Sequence, residues 1–72
     1  MSIERQIGNV YFDKEDGMYR LDVEYFDDAS STKLVEVGVE FPGTADETFA
    51  SVQARAYEEA SKTLRGILDT NF

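Results

Sequence analysis

Tyr19, Leu21, Val23 and Tyr25 alternate with Arg20, Asp22 and Glu24. This period of two gives a strand one buried face and one wet face. Val35, Val37, Val39 and Phe41 alternate in the same way with Glu36, Gly38 and Glu40. An earlier segment, roughly Gln6 to Asp13, is less regular but rich in strand formers, with Ile7, Val10, Tyr11 and Phe12. The period then changes: Phe49, Val52, Ala56, Ala60, Leu64 and Ile67 recur at helical spacing, with Tyr57 and Leu68 on the flank. The small side chains of Ala56 and Ala60 allow that helix to lie close to a sheet.

The punctuation between these segments sets their pairing. Asp16-Gly17 is a tight-turn signal, because such turns need positive φ at their central residues. With those two residues at the turn, Phe12 faces Leu21 and Val10 faces Val23, while Asp13 falls opposite Arg20. A four-residue loop, Lys14 to Gly17, shifts the pairing by two and keeps the same faces. The second connection, Asp27 to Thr32, is looser. Placing Tyr25 opposite Val35 sets Asp27 against Lys33 but also Glu24 against Glu36, and like charges directly opposite are unfavourable. A shift by two is the alternative. Pro42-Gly43 ends the third strand, and Thr44 with Glu47 reads as a capping box, with Asp46 and Glu47 in the first helical turn. Gly66 either ends the helix or weakens its last turn, and Asn71 and Phe72 are expected to fray.

The expected fold is α+β: residues 1–72 form one domain, a three-stranded antiparallel meander with a C-terminal helix packed on one face. The expected core is Val10, Phe12, Tyr19, Leu21, Val23, Tyr25, Val35, Val37, Val39 and Phe41 against the helical stripe. A chain of 72 residues buries only about 60% of the surface its unfolded form exposes. A thin core of this kind makes self-association through a sheet edge a second expectation, beside recognition of a partner.

Composition narrows the chemistry. The chain has no Cys, His or Trp, which removes disulfides, thiolate and imidazole metal sites and Cys or His nucleophile pairs together. No stretch approaches the ~20 apolar residues of a membrane span. Met1-Ser2-Ile3-Glu4-Arg5 carries no signal-like hydrophobic run, so the cytoplasm is the expected location. The net charge of −8 is unevenly spread: residues 1–12 balance Glu4 against Arg5, while residues 13–43 carry nine acids against Lys14, Arg20 and Lys33. Binding to phosphate backbones needs the opposite sign, so direct nucleic-acid binding is not expected. Solubility alone is the simplest role for such a surface.

Asp13, Glu15 and Glu24 occupy positions 1, 3 and 12 of a calcium-loop window, but Gly17 falls at position 5 where the motif needs an oxygen ligand, and its glycine belongs at 6. Strands rather than helices flank the window. Weak divalent binding by Asp13, Glu15 and Asp16 is what remains of that idea. The carboxylate pairs Asp27/Asp28, Asp46/Glu47 and Glu58/Glu59 have no apolar pocket around them to shift a pKa, and Ser30-Ser31 has no base. Catalysis is not expected, and no cofactor is implied.

One helix covers one side of a sheet, so the other stays open. It carries Tyr11, Asp13, Arg20, Asp22, Glu24, Phe26, Leu34, Glu36 and Glu40. On it Asp22, Glu24, Glu36 and Glu40 would supply charge, and Tyr11 and Phe26 apolar anchors, for a protein partner with a basic surface. An inhibitor of a nucleic-acid-binding protein is one form of that reading.

The run Asp16-Gly17-Met18-Tyr19, a strand pair and then a capped helix with an acidic first turn resembles the HicB-type antitoxin domain over roughly residues 7–68. That family shares its β-β-β-α layout with the C-terminal part of double-stranded-RNA-binding domains. Its Pro-Gly usually precedes the third strand, whereas Pro42-Gly43 here directly precedes the helix. The DNA-binding segment of full antitoxins is not expected within these 72 residues, and neither is a basic helix face for RNA. The resemblance implies a non-catalytic domain that dimerises and binds a basic protein.

Overall fold

A computed structural model describes residues 2–69; Asn71 and Phe72, expected to fray, lie outside the described residues. The chain forms β1 (Ile3–Asp13), β2 (Met18–Asp27), β3 (Thr32–Pro42) and α1 (Phe49–Asp69). The strands make one antiparallel sheet in the order β1-β2-β3. The helix lies on one face, mainly over β3 and then β2. This is the α+β arrangement the two periodicities predict, with β1 starting three residues earlier than expected.

Alternation places Tyr19, Leu21 and Val23 of β2 and Val37, Val39 and Phe41 of β3 against Val52, Ala56 and Ala60 of α1. Val23, Ala56 and Ala60 are completely buried, so the two alanines do bring the helix close to the sheet. Phe12 and Tyr25 pack against this core from its margin. The Tyr25 hydroxyl is buried with no hydrogen-bond partner among the described residues. At the other end Phe12, Tyr19 and Phe41 stack in series, with ring centroids 4.7 and 5.7 Å apart.

Both hairpins turn through four residues. In each, an Asp at the base accepts from the amide four residues on: Gly17 to the Asp13 carbonyl and Ser31 to the Asp27 carbonyl, both at 2.8 Å. Each Asp side chain also accepts from the amide two residues on, Glu15 at 3.0 Å and Ala29 at 3.1 Å. Each fourth turn residue has positive φ, +65° at Gly17 and +58° at Ser31. The four-residue loop is therefore the correct one of the two possibilities for the first hairpin, and Phe12 pairs with Tyr19 rather than Leu21.

Two bulges correct the expected registers. In β1, Gly8 pairs with Asp22 and Tyr11 with Arg20, so Asn9 and Val10 together oppose Leu21. Asn9 takes φ +54°, a conformation Asn tolerates better than most residues. The extra residue turns Val10 out, leaving it 46% exposed rather than in the core, and brings Ile7 opposite Val23. In β3, Tyr25 pairs with Val35 but Phe26 pairs with Lys33, which leaves Leu34 as the extra residue. Asp27 therefore meets Thr32, not Lys33. Beside this bulge the core thins, and Val35 is exposed against expectation, as are Phe49 and Ile67 at the two ends of the helix.

The helix begins later than the capping signature suggests. Thr44 and Glu47 do bond reciprocally, the Thr44 amide to the Glu47 carboxylate at 2.8 Å and the Glu47 amide to the Thr44 carbonyl at 3.4 Å. They close a turn, not a helix, and the first helical turn holds no acid. Thr48 is the cap, its hydroxyl accepting from the Ser51 amide at 3.2 Å. The chain must first climb from the sheet layer to the helix layer. The junction is fixed on the way: Tyr19 donates to the Thr44 carbonyl at 2.5 Å. Gly43 is packed so tightly that a Cβ there would lie 2.7 Å from the Tyr19 ring. Arg55 ties the helix back to this corner through the Glu47 carboxylate, the Pro42 carbonyl and the face of Phe41. Gly66 lies inside α1 and does not end it.

Candidate functional site

The face away from the helix takes every second residue of the three strands. The registers place Glu4, Asp13, Asp22, Glu24, Glu36 and Glu40 there against only Arg20 and Lys33. All six residues expected to meet a partner, Tyr11, Asp22, Glu24, Phe26, Glu36 and Glu40, fall on this face. They do not form one cluster. The two bulges divide them into halves of different electrostatic character.

Glu24 and Glu36 do sit opposite each other, the like-charge pairing that is unfavourable in a plain ladder. The β3 bulge resolves it by carrying Lys33 to the same face, with Nζ 3.1 Å from Glu24 and 4.0 Å from Glu36. The Lys33 pKa is raised above its ordinary value, first by the hydrogen bond to Glu24 and then by the charges of Glu24 and Glu36. The Glu24 side chain is only 15% exposed and lies along Gly8, where a Cβ would be 3.4 Å from its carboxylate. Phe26, opposite Lys33, belongs to this half. Its carboxylates already have a cation.

The other half is built around an absence of side chain. Gly38 pairs with Asp22, and Arg20 with Glu40, so the missing side chain opens a depression of about 470 Å³ lined by Asn9, Tyr11, Arg20, Asp22, Gly38 and Glu40 among others. Tyr11 forms a wall and is 60% exposed. The Asp22 carboxylate accepts a neutral hydrogen bond from the Asn9 side chain at 2.9 Å, because the bulge turns Asn9 toward it. Arg20 bonds Asp13 and Asp16 at 3.1 Å and Glu40 at 3.2 Å. Its pKa is raised, chiefly by the hydrogen bond to Asp16. The Asp13 pKa is lowered, first by the amides of Asp16 and Glu15 and then by Arg20. The Arg20 guanidinium is therefore shared among three carboxylates, while Asp22 forms no direct ion pair among the described residues and meets the Lys33 charge only at longer range.

Sequence reasoning found the charged residues of this depression but not Asn9 or Gly38, which shape it. Their signal was present: Gly8-Asn9 and Gly38 interrupt strands, and a lone glycine there marks a bulge or a close approach. Asp13 and Asp16, considered for divalent binding, both engage Arg20. No group of three or more acidic side chains among the described residues is arranged to hold a metal ion. No described helix is long and apolar enough to cross a membrane.

Compared with known proteins, the chain matches no family model, no curated protein and no solved structure.

Proposed function

We propose that this chain is a small non-catalytic binding module that receives a basic segment of a protein partner on its open sheet face, anchored at the depression over Gly38. The observation that carries this reading is the pairing of an Asp22 carboxylate, held by the neutral Asn9 amide and without a direct ion pair among the described residues, with a side-chain gap. A guanidinium fits such a place better than an ammonium. It is planar, bonds carboxylates in a bidentate manner and stacks on an aromatic face such as Tyr11. Stacking of that kind contributes about 0.5–1 kcal/mol at exposed sites. Glu40 flanks the site and can exchange Arg20 for the incoming cation. Phe26, Glu24 and Glu36 form the outer contact, with lower return because Lys33 already occupies the two acids.

Nuclear magnetic resonance titration with an arginine-rich peptide tests this. The expected result is chemical-shift change concentrated at Tyr11, Asp22, Gly38 and Glu40, and a weaker response to a lysine peptide of equal charge. Gly38→Thr should abolish the response while leaving stability unchanged or slightly raised. A Cβ at Gly38 meets only Asp22 at 3.7 Å, and Thr is a better strand residue. Shifts spread evenly over all acids, including Glu58 and Glu59 on the helix, would reduce the open face to a solubilising surface.

A further inference from the structure

Among the described residues the sheet has two edges without a further strand, and their characters are opposite. Asp28 donates its amide to the Ser2 carbonyl at 3.1 Å, so alternate β1 residues Glu4, Gln6 and Gly8 turn their amides and carbonyls toward β2. Those of Ile3, Arg5 and Ile7 then point outward from the sheet. The Tyr57 hydroxyl reaches the Arg5 carbonyl from the helix at 3.4 Å, as expected of a carbonyl outside the ladder. On the far edge the Gly43 amide bonds the Gly17 carbonyl at 3.0 Å, and the same alternation turns Glu36, Gly38, Glu40 and Pro42 outward. That edge offers two carboxylates and a proline without an amide, which are standard protections against strand addition. The β1 edge has no acid or proline among its outward residues; its protections are the Asn9–Val10 bulge at one end and the Tyr57 hydroxyl on the Arg5 carbonyl. Residues 3–12 hold one acid and one base in a chain of net charge −8, and Ile3 and Val10 stand exposed along it.

We infer that β1 is a self-association edge, and that its occupant is β1 of a second copy, antiparallel about a two-fold axis at Gln6. The register follows from charge. Outward-facing odd residues must pair with odd residues, so the possible centres are few. Centring on Glu4 sets Glu4 against its own copy, and centring on Arg5 sets Arg5 against its own copy; both are like-charge pairs. Centring on Gln6 sets Arg5 against Ile7 and Glu4 against Gly8, with no like charges opposed. It also brings Ile3 of one copy beside the Asn9–Val10 bulge of the other. Centring on Ile7 runs the pairing into that bulge. The outcome is a six-stranded sheet with both helices on one side and both acidic faces on the other. The helix lies mainly over β3 and β2 and reaches β1 through Tyr57, whose ring lies 4.1 Å from the Arg5 guanidinium; the Tyr57 hydroxyl would yield the Arg5 carbonyl to the Ile7 amide of the second copy. An edge this short buries less than the ~800 Å² per partner of a standard interface, so the dimer is reversible and concentration-dependent.

Sedimentation equilibrium and a cysteine scan test the inference, aided by a chain that has no native Cys. The natural chain should shift from monomer to dimer as concentration rises toward about 1 mM, an affinity range accessible to a weak contact. Gln6→Lys should weaken association at least tenfold. It places two cations at the axis yet gains Glu24 as a cross-strand partner within its own sheet, so the monomer stays folded by circular dichroism. Gln6→Cys faces itself across a non-hydrogen-bonded pair with Cα atoms about 4.5 Å apart, within disulfide range, and should cross-link on mild oxidation. Glu4→Cys should not. A monomer at every concentration, a dimer indifferent to Gln6→Lys, or equal cross-linking at positions 4 and 6 would each overturn it.

Discussion

The two hairpins use the same turn and put it to different ends. Each turns through four residues on an Asp base, with positive φ at the fourth, and each is followed or preceded by one bulge. The β1 bulge brings a neutral amide, Asn9, to Asp22, which forms no direct ion pair among the described residues. The β3 bulge brings a cation, Lys33, to Glu24 and Glu36 and quenches them. One extra residue in a ladder therefore decides whether a neutral amide or an ammonium meets the carboxylates beside it. Counting charges along the strands does not reveal this, since both rows look alike in composition.

The sharpest way to break the parallel is at the fourth turn residue. Gly17→Ala should cost about 1–2 kcal/mol, since a side chain at positive φ is strained while the new Cβ meets nothing closer than 3.9 Å. Chemical denaturation measures it. The mirror change, Ser31→Gly, relieves strain already present but adds freedom to the unfolded chain. It should therefore gain less, about 0.5–1 kcal/mol. A loss of stability in Ser31→Gly would mean that the turns do not share an energy surface.

The smallest effect belongs to Lys33. Its folded pKa is above the unfolded value, so its contribution is complete below the ordinary lysine range near 10.4. It disappears as pH rises through the folded value. Asp13 behaves oppositely: its lowered pKa gives a contribution complete above the usual carboxylate range near 3.9 and lost as pH falls through the folded value. Lys33→Met should flatten the alkaline limb of a stability–pH profile and leave the Asp13 contribution to the acid limb in place. At physiological salt it should lower stability slightly at neutral pH, because salt screens the exposed Lys33 end while Glu24 and Glu36 are left facing each other. The same variant should open the Glu24–Glu36 half of the face to the arginine peptide.

Much of this architecture was legible because period-two and helical patterns are dictated by burial. Tyr19, Leu21, Val23, Val37, Val39 and Phe41 are inside for that reason. What escaped has a common physical cause: a bulge changes parity at one point, and alternation read through that point fails. Val10 looks like a core residue only if β1 is unbroken. The Glu24–Glu36 conflict was legible, and its resolution was not, because a one-residue insertion in β3 competes with a two-residue shift of the whole strand. Thr44 and Glu47 misled in a different way. Their reciprocal hydrogen bonds form as the motif predicts, but local bonding of this type closes a turn as readily as it starts a helix. Gly43 against the Tyr19 ring and the climb out of the sheet delay the helix to Phe49. The candidate site was legible in its acids and in Tyr11, and illegible in its emptiest member, Gly38.

The strand order repeats the chain order, with β1 on β2, β2 on β3 and the helix folded back mainly on β3. Each pairing can therefore form as soon as its two neighbours have been made, without waiting for distant segments to meet. Topologies of this kind close short loops first and fold faster than those built from remote strands. Assembly would then run from turn to turn along the chain, with Asp13 and Asp27 organising the two bends before the helix closes over them.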